Sequence, residues 1–352
     1  EANNAWAPLQ YALAAKDPVL GSKLTIETPA RNAKVRVTYT SSPEASGLQW
    51  LTPEMTEGKQ LPFMFSQSQQ IHARSWVPLQ DTPIIRFTYS AHVTAPSDAM
   101  VLMSADNDPA AARDGDYAFK MPQKIPSYLM AIAAGDLVFK PISARSGVWA
   151  EPAMVDKATK EFEDTEKMIA TTEQLYGPYR WERYDMLVLP PSFPYGGMEN
   201  PRLSFITPTV IVGDKTLVSL IAHELAHSWS GNLVTFATDK DAWLNEGFTS
   251  YVDNRLVEAL FGKEQADMET AIGRAEVVKM TRQVAFVTGI AHDGDAADVQ
   301  LTQGAQNAAG DGATVGDQDF VEHDADFSID LAPSACCTSA SSYLFQSGMF
   351  PC

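Results

Sequence analysis

The chain has 352 residues, 45% of them hydrophobic, with 26 Lys or Arg against 44 Asp or Glu and a net charge of −18. That length suffices for two domains with well-filled cores, and no apolar run approaches the ~20 residues that cross a bilayer. The acid excess argues against nucleic acid as a partner and gives a long-range bias toward cationic groups. Residues 20 to about 136 alternate apolar and polar positions in short runs, such as Val35–Tyr39, Ile84–Tyr89 and Met100–Met103, punctuated by Pro43, Pro62, Pro83 and Pro96. This predicts an all-β domain over 1–136, incomplete at its start, with packed or saddle-shaped sheets. A β-to-α switch is expected near Ile132 to Phe139. Residues 151–176 then read as one helix, with Phe162, Met168, Ile169 and Leu175 at helical spacing, and Tyr184–Leu189 as a buried strand leading into Pro190 and Pro191. Beyond them, Leu217–His227 predicts an apolar helix. Asp241–Asp253 predicts another, with Trp243, Leu244 and Tyr251 turned inward, and Lys263 to about Val284 an amphipathic stretch.

After Arg282 the composition breaks. The last 70 residues hold no Lys or Arg, ten Asp or Glu, and all three cysteines, Cys336, Cys337 and Cys352; without those ten acids the net charge would fall from −18 to −8. Low apolar content with a single sign of charge predicts a weakly ordered acidic tail over 285–352. So abrupt a change reads as a shifted reading frame or a fusion. The chain starts at Glu1 without methionine. A soluble, cytoplasmic protein is favoured, and a periplasmic or secreted one fits a removed leader.

The chemistry concentrates in His223-Glu224-Leu225-Ala226-His227, followed after eighteen residues by Glu246 within Trp243-Leu244-Asn245-Glu246-Gly247-Phe248. Histidines four apart on a helix differ by only ~40° in direction, so both imidazoles can reach one cation. A carboxylate from the next helix completes three protein ligands for a tetrahedral zinc ion and leaves the fourth position to water. Glu224 is placed to take the proton from that water. Two histidines and a glutamate on so apolar a helix would be costly to bury without a partner. Asp253 falls seven residues beyond Glu246, on the same helical face, where it can fix the tautomer of a ligand histidine. A second cluster, Pro194-Tyr195-Gly196-Gly197-Met198-Glu199-Asn200-Pro201, places Glu199 24 residues before His223. Paired glycines let a peptide backbone lie close, and a carboxylate beside them suits a free ammonium group.

These two motifs resemble the zinc-binding and exopeptidase signatures of the gluzincin aminopeptidases, the aminopeptidase N clan. Longer stretches, Gly47–Pro53, Phe65–His72, Gln80–Pro83, Leu187–Tyr195 and Gly231–Val234, are similar to the leukotriene A(4) hydrolase and aminopeptidase B branch of that clan. The likeness runs from about residue 20 to about 282. It implies a multidomain α+β architecture, in which an N-terminal all-β saddle-like domain covers one side of a thermolysin-like α+β zinc-peptidase domain over 137–284, here incomplete. It also implies one zinc ion on His223, His227 and Glu246, with Glu224 as the base. Gln69, Tyr195, Gly196, Gly197, Met198, Glu199 and Asn200 are the expected substrate contacts, and peptides with a free N-terminus the expected substrates. The branch implies a second, epoxide hydrolase activity as well. Its oxyanion-stabilising tyrosine segment and helical C-terminal domain have no counterpart after Arg282, and Tyr343 stands in a Ser-Ser-Tyr-Leu-Phe setting that does not match. A catalytically silent zinc- or peptide-binding fragment therefore stands as a further alternative.

Overall fold

Alternating side chains make nine strands in the first 135 residues. The computed structural model describes residues 6–30, 34–238, 241–274, 323–331 and 343–351. Strands β1 (Tyr11–Leu13) and β2 (Leu24–Ile26) form a two-stranded hairpin. They are followed by β3 (Lys34–Ser41), β4 (Leu48–Leu51), β5 (Phe63–Ser66), β6 (Arg86–Thr94), β7 (Met100–Met103), β8 (Asp116–Pro126) and β9 (Ile132–Gly135). The alternation is clearest where β6 pairs antiparallel with β8: Phe87, Tyr89, Ala91 and Val93 point into the core beside Tyr117, Phe119 and Met121, while every second residue is more exposed. Strands β4, β5, β9 and β7 form a separate antiparallel sheet; β5, β7 and β9 are buried at every position.

The switch to mixed structure comes later than expected. Residues 132–150 contain β9 and then β10 (Val138–Pro141) and β11 (Ser146–Ala150), the latter two belonging to a different, five-stranded sheet. After α1 (Val155–Glu161) and α2 (Thr165–Tyr176) come β12 (Tyr184–Val188), β13 (Gly197–Met198) and β14 (Leu203–Ile206). The sheet runs β10-β11-β12-β14-β13, with β11, β12 and β14 parallel and the two outer strands antiparallel. All residues of β11, β12 and β14 are buried, as parallel strands covered on both faces require. The single helix expected over 151–176 is two. The Phe162 carbonyl is taken by the amide and hydroxyl of Thr165, at 3.0 and 2.6 Å, which ends the first ladder. Buried Glu161 turns away to accept the backbone N–H groups of Gly213 and Lys215, each at 2.9 Å, pinning the loop that feeds α3 (Ser219–Ala226).

Carboxylates tie the first 135 residues to the segment that follows. Buried Glu151 accepts the N–H groups of Glu57 and Gly58 at 2.9 and 2.8 Å, and Asp106 pairs with buried Arg202 at 3.0 Å. A long helix, α4 (Trp243–Phe261), carries Glu246. Residues 263–274 are helical and carry a Lys263–Asp267 ion pair at 2.6 Å. No helix among the described residues is long and apolar enough to cross a membrane.

Two segments of the acidic tail correct the expectation of weak order. Strands β15 (His323–Asp330) and β16 (Tyr343–Pro351) enter the first domain's large sheet, giving the order β3-β16-β15-β6-β8. Alternation within 323–331 explains it: Ala325, Phe327, Ile329 and Leu331 are buried, with Phe327 edge-on to Tyr89 at 6.0 Å. β15 runs parallel to β6 from the His323–Phe87 pair to Asp330–Thr94. Average composition over 70 residues hid this short alternating run. Residues 275–322 and 332–342, the boundary at 284 and the three cysteines lie outside the described residues. Phe327→Ala is expected to cost about 3 kcal/mol of stability in a urea titration. An unchanged midpoint would show that β15 does not occupy the sheet.

Candidate active site

The zinc-motif residues converge from α3 and α4. Apolar Val218, Ile221, Ala222, Leu225 and Ala226 bury one side of α3, and Glu224 and His227 are buried with them. His227 is the residue that ends the helix. A tight turn follows, in which the His227 carbonyl accepts the N–H of Asn232 at 3.0 Å. His223 Nε2 and His227 Nε2 stand 3.1 Å apart, and Glu246 Oε2 lies 3.4 Å from the first and 3.7 Å from the second. Two ligand bonds of ~2.05 Å at the tetrahedral angle separate their donor atoms by about 3.3 Å, so this triangle has the dimensions of a zinc-binding face.

The protonation pattern points the same way. Asp253 Oδ2 lies 2.6 Å from His223 Nδ1. His227 Nδ1 faces the Ser230 carbonyl at 3.2 Å, Asn245 Oδ1 at 3.0 Å and Thr249 Oγ1 at 3.1 Å. The Thr249 proton is committed to the Ser230 carbonyl at 2.8 Å, so all three neighbours are acceptors and His227 Nδ1 must donate. His227 Nε2 is then left with its lone pair aimed at His223 Nε2 across 3.1 Å, a place that takes a proton or a cation. The surrounding carboxylates agree. Burial alone would lower the His223 pKa, but hydrogen bonds to Asp253 and Glu246 and the charge of Glu224 raise it to about 11. Glu246 is held below the usual carboxylate range by its hydrogen bond to His223. Donor atoms, spacing and charge therefore fit a divalent metal ion.

Glu224 is pushed up to about 8, first by burial and then by the carboxylates of Glu199, Glu246 and Asp253, against the opposing effect of His223. Glu199 is buried on the loop after β13, and its carboxylate, that of Glu224 and a ring nitrogen of His227 all lie within 4.8 Å of one another. The glycine pair works differently from the expectation of substrate clearance. A Cβ at Gly197 would lie 2.1 Å from Glu224 Oε1, so the space it vacates is filled by the Glu224 carboxylate; a Cβ at Gly196 would meet Leu220 at 3.2 Å.

The remaining sequence candidates divide. Met198 is buried and its sulfur accepts the side-chain N–H of Gln67 at 3.1 Å. Asn200 is buried with its side-chain nitrogen unpartnered among the described residues. Tyr195 is 53% exposed, its ring edge-on to Phe193 at 5.9 Å. Gln69 is half-buried, and its side chain takes no hydrogen bond among the described residues; Gln67, two residues earlier, is the glutamine that touches the loop.

The packing of α4 overturns one expectation. Trp243 and Tyr251 are 67% and 60% exposed, and the buried stripe is Asn245, Thr249, Val252 and Leu256. Its first two members are polar because they face the His227 imidazole, so hydrophobicity points to the wrong side of the helix. Asn245 and Thr249 were thereby missed from sequence; the available signal was a pair of hydrogen-bonding residues four apart, beginning next to Glu246.

A mixed sheet backs a helix that carries two histidines and a glutamate, and the third donor sits on the following helix. Residues 15–129 match the peptidase M1 N-terminal domain and residues 160–300 the peptidase family M1 domain. The chain belongs to peptidase family M1, whose members are zinc-dependent in general. It is 46% identical to leucine aminopeptidase 2 of Yarrowia lipolytica, over 75% of this chain and 41% of that protein. It is 45% identical to leukotriene A-4 hydrolase of Xenopus laevis, over 72% of this chain and 43% of that one. Among solved structures, native leukotriene A4 hydrolase from Saccharomyces cerevisiae aligns with a TM-score of 0.70 at 36% identity, covering 78% of this chain and 43% of that one. The chain thus spans about two fifths of the length of these relatives.

Proposed function

We propose that this chain is part of a zinc aminopeptidase that removes residues from peptides with a free N-terminus. The observation that carries this reading is the placement of buried Glu199 within 4.8 Å of Glu224 and His227. A carboxylate so close to the base measures one residue from the amino end. His223, His227 and Glu246 would hold the ion, and Asp253 and Asn245 keep the two imidazoles in the tautomer that presents Nε2. When bound there, zinc supplies a Lewis acid for the scissile carbonyl and acidifies the attacking water. Glu224 removes the proton from that water and delivers it to the leaving amine. Glu199 anchors the substrate ammonium and so fixes which peptide bond lies beside Glu224. The domain boundary near 136 is kept as part of this reading, supported by its position between the two matched regions. Epoxide hydrolysis is carried by the resemblance alone.

The test is hydrolysis of leucine 4-nitroanilide and of its N-acetylated form by the zinc-loaded chain. Turnover of the free amine alone is expected, and equal turnover of both would exclude an aminopeptidase. Two substitutions refine it. Glu199→Gln is expected to raise KM by about 10–100-fold, the loss of a charged hydrogen bond; an unchanged KM would remove Glu199 from ammonium recognition. Asp253→Asn is expected to weaken zinc binding by about 10–100-fold in chelator competition. Unaltered affinity would mean that His223 needs no carboxylate to orient it.

A further inference from the structure

We infer that Asn245 is a positioning residue that couples the amino-terminus site to the metal ligand, an inference that rests on the roles proposed above for Glu199 and His227. Its side chain spans the two: Oδ1 lies 3.0 Å from His227 Nδ1 and Nδ2 lies 3.4 Å from Glu199 Oε1. The orientation of the amide is dictated. His227 Nδ1 must donate, because the Ser230 carbonyl can only accept and the Thr249 hydroxyl has already given its proton to that carbonyl. The Asn245 atom facing the imidazole is therefore oxygen, and its N–H is aimed at the Glu199 carboxylate.

The neighbouring turn is shaped around this amide. Gly231 has φ +116°, and a Cβ there would lie 2.1 Å from Asn245 Oδ1 and 2.9 Å from His227 Nδ1. Asn232, next along, is 1% exposed and donates its side-chain N–H to the Glu199 carbonyl at 2.7 Å. The turn after the metal helix is thus tied to both ends of the link. With Asn245 itself 3% exposed, its hydrogen bonds are made away from water, where they polarise one another. Negative charge on Glu199 draws on the Asn245 N–H, makes its oxygen a better acceptor, and strengthens the His227 imidazole as a donor to a cation. Whatever neutralises Glu199, a substrate ammonium included, is felt at the metal through this side chain in addition to the direct field of a carboxylate within 4.8 Å of His227.

Zinc affinity, measured by chelator competition on the full chain, tests this without requiring turnover. Asn245→Ala is expected to weaken zinc by about 10–100-fold, whereas Asn245→Asp, which still accepts from His227, keeps affinity within about three-fold. A merely structural asparagine would give the same result for both. Glu199→Gln is then expected to weaken zinc more in the wild-type background than in Asn245→Ala, by a factor of about two or more. Equal effects in the two backgrounds, or an aspartate as weak as alanine, would overturn the coupling. If the wild-type chain binds no zinc, or His227→Ala binds it equally well, the zinc reading falls and takes the coupling with it. If binding depends on His227 but the cycle is additive, the coupling alone falls.

Discussion

Glu224→Gln is expected to lower kcat on an aminoacyl anilide by about 10²–10⁴-fold while leaving zinc content unchanged. The substitution keeps the size and shape of a side chain that is 5% exposed, and Glu224 lies outside the His223, His227 and Glu246 triangle proposed to hold zinc. What it removes is the ability to accept a proton. Burial and the adjoining carboxylates push the Glu224 pKa up to about 8, which makes its ionised form a stronger base than an exposed glutamate. Metal analysis and steady-state kinetics on the same preparation decide the matter. Full turnover with zinc in place would exclude Glu224 as the base, and loss of both would reassign it to holding the site together.

Gly197→Ala should disable the same step from the opposite strand. The new methyl would fall 2.1 Å from Oε1, 2.4 Å from Cδ and 2.6 Å from Cγ of Glu224, closer than non-bonded atoms come. Either the Glu224 carboxylate swings away or β13 shifts outward. A displacement of about 1 Å at a reacting group can cost 10²-fold, so kcat is expected to fall by about 100-fold or more, with zinc affinity altered little. Wild-type kcat in this variant would mean that Glu224 works from a different rotamer.

The donor set was legible because its spacing follows directly from helix geometry: His223 and His227 four apart and Glu246 on the next helix meet as a triangle with edges of 3.1, 3.4 and 3.7 Å. The partnership of Asp253 with His223 was readable for the same reason. Met100–Met103 was found as a strand at those same bounds. What failed was inference from apolarity. Trp243 and Tyr251 read as inward, but the inward face of α4 begins with Asn245 and Thr249, which serve His227 rather than the core. The division of 151–176 into two helices was likewise hidden, since Thr165 ends the first by capping the Phe162 carbonyl, a side-chain choice that apolar spacing does not register. Gly197 was assigned clearance for a ligand, whereas it makes room for a side chain of the protein itself.

Synthesis order gives the tail strands a further meaning. β15 lies between β6 and β16, and β16 between β15 and β3, so, among the described residues, 34–41 and 86–94 are joined into one sheet by strands encoded after residue 322. A chain emerging from the ribosome would make β3 and β6 early and hold them with bare edges while all of the metal-site helices were being translated. Closing the sheet means bridging more than two hundred residues of intervening chain, a contact that loop entropy makes slow. The nascent first domain would thus be most vulnerable to strand capture by other chains during that interval, and a chaperone acting on it would have to persist until the tail arrived.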